Sequence, residues 1–327
     1  MILAGDIGGT NARLALFEVS GGNVNLVSTS TFPSRKYSGL DQIVIEFVET
    51  AKVHPDAACF GVAGPVSNGR VETTNLPWVV ESKRLADELK IGQALLINDL
   101  EATAWGVPAL VANDLVALNQ VKGNPVGTQA VIAAGTGLGE AAMYWDGTQY
   151  HVLACEGGHS DFAPHDDLEI DLFRYLHKRF GHVSYERILS GPGLVNVFHF
   201  LRDTGRGTEP KWLTDEMQNT DPAAAIARAG LAGDSPIAEQ ALGIFLSVYG
   251  AEAGNLALKT KATGGVFVAG GIAPKLLPKL AGPLFMHSFV SKGRMQSLLE
   301  AIPVKVVVND KTALIGAARC AAVKSAT

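Results

Sequence analysis

The sequence predicts an α/β protein in two halves, each a mixed sheet flanked by helices, facing one another across a central cleft. Three observations predict it. A strand, Gly/Thr-rich turn, strand, Gly turn, strand cassette occurs twice. Each copy is followed by alternating helical and strand patterns, and 327 residues suffice for two domains of ordinary size.

In the first cassette, "ILAGDI" is an apolar run and "ARLALFEV" alternates as a half-buried strand does. Gly21-Gly22 is a turn, and "NVNLVSTSTF" closes the set. Next come the helical "DQIVIEFVETAKV", the strand "ACFGVAG", the helical "SKRLADELK" and the strand "ALLIND". The second cassette reads "QAVIAAGTGLG", "EAAMYW", a hairpin turn at Asp146-Gly147, and "TQYHVLAC". Longer helices follow, one opened by Ser235 as N-cap with Pro236 at the first helical position. The strand "GGVFVAGG", the strand "PVKVVVND" and the alanine-rich helix "TALIGAARCAAV" end the chain.

Composition narrows the function. Hydrophobic residues make up 47% and charged residues 18%, which is globular and not disordered. The net charge of −5 and the lack of any basic run argue against a nucleic-acid surface and a membrane-surface patch. Cys59, Cys155 and Cys320 stand far apart, a pattern of reduced, mostly buried thiols and not of a zinc site. No leader precedes the first strand and no uninterrupted apolar stretch of about 18 residues occurs. The expectation is a soluble, cytoplasmic protein.

The turn Asp6-Ile7-Gly8-Gly9-Thr10-Asn11 is glycine-rich but fits neither common phosphate signature. It has no lysine for a P-loop, and it leads into a strand where the dinucleotide fingerprint needs a helix. With Gly5 it pairs with Gly135-Thr136-Gly137 of the second cassette. Two such turns offer backbone N–H groups without obstructing side chains, plus threonine hydroxyls, and together can hold a polyphosphate. Gly270-Gly271 is a third candidate loop, for the nucleoside. Taken singly, each turn also reads as an ordinary hairpin; the repetition favours the nucleotide.

Six strings in order, "GDIGGTNARLAL", "LLINDLEATAWG", "AAGTGLG", "EGGHSDFAP", "GHVSYERILSGPGLVN" and "GGVFVAGGIAP", resemble the bacterial glucokinase family. The resemblance runs from residue 2 to about residue 320. It implies the two-domain actin-like ATPase (ribonuclease H-like) fold shared with hexokinase and Hsp70, with a small domain of residues 1–109 plus 301–327 and a large one of 110–300. It implies ATP-dependent phosphorylation of glucose at its 6-hydroxyl, the entry step of glycolysis, with Mg²⁺ and as a homodimer. The cysteine-rich zinc motif of the related repressor and kinase group is missing from this sequence, as is that group's N-terminal helix-turn-helix. The alternatives are a hexokinase that also takes mannose or glucosamine, a sugar sensor without turnover, and an assembly or chaperone ATPase of the same fold.

Phosphoryl transfer needs an anion cradle, charge neutralisation and an oriented hydroxyl. Asp99 follows an apolar strand and precedes a helical stretch, where open α/β sheets carry their sites. It reads as the general base or as a helix N-cap, roles that can coexist, and the resemblance favours the base. Asn98 can donate to and accept from a sugar hydroxyl, or serve a turn. Glu156 and His159 flank two glycines, too few ligands for a metal site and suited to hydroxyl recognition. By resemblance both bind the sugar. Glu186, with Ser184 as candidate N-cap, suits a first helical turn through the dipole; in the family this glutamate reaches the sugar. Asn75 also lines the sugar pocket. No side chain binds metal directly; Asp6 faces it through water, or accepts N–H bonds within its own turn.

Overall fold

The first cassette folds as β1 (Ile2–Ile7), β2 (Asn11–Ser20) and β3 (Asn23–Pro33) in a computed structural model that describes residues 1–21, 23–73, 76–123 and 125–325. Gly21 of the expected Gly21-Gly22 turn has φ +58°, and Gly22 lies outside the described residues. β4 (Ala57–Val62) follows, then a small ribbon of β5 (Arg70–Glu72) and β6 (Val79–Glu81), then β7 (Ala94–Asn98). The sheet order is β3-β2-β1-β4-β7.

The period-two pattern of this sheet feeds a core on each face. Leu3, Ile7, Leu14 and Leu16 pack with Phe47 and Leu85, from the helices Leu40–Ala51 and Ser82–Leu89. Their neighbours Ile2, Ala4, Ala15 and Phe17 pack instead with Ala102 and Leu314, from the helices Asp99–Gly106 and Thr312–Lys324. β4, covered on both sides, is buried at every position. Each such Leu, Ile or Phe stabilises the fold by roughly 1.5–3 kcal/mol. Small residues set the position of the Asp99 helix: a Cβ on Gly61 would lie 2.7 Å from the Ala102 Cβ. A Cβ on Gly106 or on Gly316 would overlap backbone of the partner helix.

The second cassette repeats the arrangement. β8 (Leu115–Ala117) precedes it; β9 (Gln129–Ala134), β10 (Leu138–Trp145) and β11 (Tyr150–Cys155) form it. β12 (Gly265–Ala269) and β13 (Val304–Val307) complete the order β11-β10-β9-β12-β13-β8. Strand for strand, β11 to β13 matches the first sheet, with β8 added antiparallel at the edge. β9 and β10 are antiparallel, while β9, β12 and β13 run parallel, as β1, β4 and β7 do. The expected duplicated α/β cassette is therefore present.

The helix Pro236–Thr260 crosses the core of this second sheet's cluster. On average it is long and apolar enough to span a membrane, although no uninterrupted apolar run was expected; 78% of that apolar window is buried inside the protein. Ser235 is its N-cap residue by backbone only: its side chain makes no capping bond and its Oγ is buried without a partner. Contacts divide the chain into Met1–Asp114 with Val152–Ala154 and Asn309–Thr327, and Leu115–His151 with Cys155–Val308. The last strand, β13, pairs in the second sheet, and the chain returns to the first unit at Asn309.

Candidate active site

In the first unit, parallel register brings the candidate residues to one edge. Ile7 pairs with Val62 and Val62 with Asn98, so β1, β4 and β7 end level, and the Gly8–Asn11 turn and Asp99 emerge from the same edge. The turn is closed by Gly8 N–H donating to the Asn11 carbonyl at 3.0 Å. It is braced by Ser34, whose Oγ donates to the Gly8 carbonyl at 2.8 Å and whose N–H donates to the Thr10 carbonyl at 3.0 Å. Thr10 and Asn11 are exposed at its tip. Gly5 and Ile7 are buried within β1, and a Cβ on Gly5 would lie 2.5 Å from the Phe60 ring, so packing alone demands that glycine.

Asp6 sits opposite Arg13 across the β1–β2 hairpin. Its Oδ2 accepts from Arg13 Nε at 3.1 Å and Nη2 at 2.5 Å, and the other Arg13 amine lies 3.4 Å from Asp310. Arg13 was not among the expected residues, yet a tight hairpin with period two puts residues 6 and 13 face to face. Ser34 lies too far along the chain for such a rule.

The N-cap alternative weighed for Asp99 falls on its neighbour. Asn98 Oδ1 accepts from Leu100 N–H at 2.8 Å while Asn98 Nδ2 donates to the Gly64 carbonyl at 3.2 Å. Asp99 is the first residue of the helix, half-buried, its Oδ1 also accepting from Leu100 N–H at 2.9 Å. Capping and the Gly64 bond thus account for asparagine at position 98. Asn75 lies outside the described residues.

In the second unit, Gly135 N–H donates to the Gly137 carbonyl at 2.8 Å and closes the second turn, with Thr136 exposed. The Gly135 carbonyl accepts from Gly191 N–H at 2.8 Å, which seats the start of the helix Gly191–Asp203 against the turn. That N-terminus, capped by Ser190 accepting from Gly193 N–H at 2.9 Å, adds a positive dipole end beside a candidate phosphate cradle. The "SGPG" run was the available signal for it. Gly270, at φ +85°, packs so closely on the Ala134 carbonyl that a Cβ would overlap it, and Gly271 opens into free space. The structure therefore brings Gly135, Thr136, Gly137, Gly270 and Gly271 together.

The candidate sugar residues of this unit gather on β10, directly after that turn. Glu156 leads the short 3₁₀ turn Gly157–His159, and both Glu156 and His159 are exposed. Gly158 lies against the Leu138 backbone closely enough to forbid a side chain. Leu138 N–H donates to Glu186 Oε2 at 3.0 Å, and Glu186 Oε1 stands 4.0 Å from His159 Nδ1. Glu186 does occupy the first turn of a 3₁₀ element, Tyr185–Arg187, though Ser184 makes no side-chain cap. Gly137 belongs to both groups: a Cβ there would lie 2.5 Å from Glu186 Oε2.

No cluster of three or more His, Cys, Asp or Glu able to hold a metal occurs among the described residues. Asp6, one oxygen engaged by Arg13, fits a divalent ion carried mainly by phosphate and reached through water.

The chain is similar to known proteins over nearly its whole length. A sequence model of the family described as glucokinase matches residues 3–324. A glucokinase from a Nostoc species is 42% identical over 338 residues, covering 98% of this chain and 99% of its own. One from a Synechocystis species is 43% identical over 345 residues, covering 98% and 97%. The crystal structure of a glucokinase from an Antarctic psychrotroph superposes with a TM-score of 0.85 at 33% identity, covering 98% of each chain.

Proposed function

The chain belongs to the glucokinase family, and we propose that the two constellations described above carry out that family's reaction, transfer of the γ-phosphoryl group of ATP to the 6-hydroxyl of glucose. The observation that carries the assignment of residues is the common strand edge of the first unit, which presents the Gly8–Asn11 turn and Asp99 side by side.

Asp99 is the general base: its carboxylate takes the proton of the 6-hydroxyl as that oxygen attacks the γ-phosphorus and the bond to the ADP oxygen breaks. Asn98 holds the helix start that aims Asp99, and the second hydrogen of its Nδ2 is left to donate to a sugar hydroxyl. Glu156, His159 and Glu186 bind sugar hydroxyls, Glu156 as an acceptor. The turns Gly8–Asn11 and Gly135–Gly137 hold phosphates through backbone N–H groups, and Gly270-Gly271 holds the nucleoside. Mg²⁺, when bound with ATP, neutralises phosphate charge, and Asp6 would face it through water. The family further suggests a cytoplasmic homodimer.

A coupled assay of ADP release with and without glucose tests the reading. We expect ADP release to depend on glucose and glucose 6-phosphate to accumulate with it one for one. Sugar-independent ADP release would point to an assembly ATPase, and glucose binding without turnover to a sensor.

A further inference from the structure

Beneath the Glu156 turn lies a pair of buried acids that the reaction does not use. Glu140 on β10 is 2% exposed and Glu252 on the helix Pro236–Thr260 is 0% exposed, and the charge of Glu252 acts on the Glu140 carboxyl. Glu252 is the well-furnished member. Its Oε1 accepts from Lys259 Nζ at 3.2 Å and its Oε2 from Asn255 Nδ2 at 2.8 Å. Glu140 Oε1, in contrast, is buried with no hydrogen-bond partner among the described residues. With only the Lys259 ammonium bonded to the pair among the described residues, two carboxylates out of water cannot both ionise at modest cost, so one proton stays with the pair. The furnishing of Glu252 leaves that proton on Glu140.

Both acids connect to the sugar-binding candidates. The Glu140 carboxyl fills the space a side chain at Gly157 would need, so the turn carrying Glu156 and His159 rests directly on it. From Glu252, Asn255 Nδ2 also donates to the Tyr185 hydroxyl at 3.0 Å, and Tyr185 precedes Glu186. Lys292 Nζ donates to Asn255 Oδ1 at 2.7 Å and completes the network.

We infer that Glu140 is a positioning residue for sugar binding: its protonated carboxyl, buried beneath Gly157, keeps that turn seated on β10, and so holds Glu156, His159 and Glu186 in one arrangement. This rests on the reading of that face as the sugar site. Loss of the proton places a second negative charge against Glu252, and the carboxylates separate at the expense of the turn resting on one of them.

Burial first, then the charge of Glu252, pushes the Glu140 carboxyl from 4.5 up to about 8, against the pull of Lys259. The other titratable groups facing it are Tyr249 and Cys155, and those facing Glu252 are Tyr185 and Lys292. The tyrosines and the Cys155 thiol are all raised by desolvation and lose their protons only above this range. Because the folded value lies above the unfolded one, the contribution of the Glu140 proton to stability is complete below 4.5 and lost as pH rises through about 8.

The test is calorimetric titration of the intact protein with glucose, from one unit below to one unit above that midpoint, for the wild type, Glu140→Gln and Glu252→Gln. Wild-type affinity should fall by about tenfold across the range, with uptake of about half a proton per glucose at the midpoint, read from buffers of different ionisation enthalpy. Glu140→Gln should abolish the fall. Glu252→Gln should move it to lower pH, because the like charge is gone. Flat wild-type affinity without proton uptake, or an undiminished fall in Glu140→Gln, would overturn the inference. If Glu140→Gln does not fold, the wild-type proton uptake decides alone. Absence of glucose binding at every pH is a separate result, which overturns the sugar-site reading itself.

Discussion

The fifth strand in each sheet order leads into the same dipeptide, Asn98-Asp99 at the end of β7 and Asn309-Asp310 shortly after β13. The asparagines behave alike. Asn98 Oδ1 accepts from Leu100 N–H, Asn309 Oδ1 accepts from Lys311 N–H, both at 2.8 Å, and each amide group bonds a further acceptor. The aspartates do not. Helix begins at Asp99 itself, which leaves that carboxylate half-buried, whereas the second helix begins only at Thr312. Asp310 is left in the intervening turn, 81% exposed, with Arg13 at 3.4 Å. What repeats is the backbone requirement of a strand turning into a helix. What differs, by a shift of the helix start, is how far each carboxylate is buried.

Replacing the two aspartates one at a time sharpens that contrast, and Asp99→Asn should have the largest effect. Loss of a general base typically lowers turnover by ~10²–10⁴-fold. The fold should survive, since asparagine keeps the shape and can still accept from Leu100 N–H. Steady-state kinetics beside a thermal melt decides it: near-normal kcat in a folded variant removes Asp99 from the chemistry.

The two glycines of the second turn diverge in the same way, and a pair of variants exposes it. A Cβ on Gly135 meets nothing within 4 Å, so Gly135→Ala intrudes only on whatever approaches the turn from solvent. A Cβ on Gly137 meets Glu186 Oε2 at 2.5 Å, so Gly137→Ala displaces Glu186, which we propose as a sugar residue. We expect Gly135→Ala to weaken ADP and leave glucose affinity within about twofold. Gly137→Ala should also weaken glucose, by roughly tenfold, or about 1.4 kcal/mol. Titrations with each ligand separately measure both. Equal glucose losses in the two variants would show that Glu186 is not what Gly137 accommodates.

The cassette was legible because its signals are local. Apolar runs, Gly turns and period-two alternation lie within a few residues of one another, and β1 to β3 and β9 to β11 follow them closely. Asp6 opposite Arg13 was equally accessible, since a hairpin's register follows from its turn. Other features depend on distant chain. Ser34 braces a turn more than twenty residues upstream, and Glu140 meets Glu252 across more than a hundred. A glutamate at a strand position reads as a solvent-facing residue until the strand's neighbours are known. The dual constraint on Gly137 has the same origin: "GTGLG" suggests an anion loop, and only the folded chain brings Glu186 beneath it.

Asp310→Asn is the counterpart of Asp99→Asn and should have the smallest effect. Its carboxylate is 81% exposed and its 3.4 Å approach to Arg13 is long for a charge-assisted bond, while Arg13 keeps two shorter bonds to Asp6. An exposed ion pair of this kind contributes about 0.2–1 kcal/mol at most, and salt screens it. Removing the charge should therefore change stability by less than about 1 kcal/mol, and the change should shrink further at high ionic strength. Turnover should stay within about twofold of wild type, because nothing at Asp310 offers a base to a sugar hydroxyl. The measurement is kcat and thermal melts for the wild type and Asp310→Asn at low and high salt. A fall in turnover comparable to that of Asp99→Asn would mean that the helix start is not what separates the two aspartates. Arg13 would then be coupling Asp310 to Asp6, and the carboxylates around that guanidinium would need to be treated as one unit.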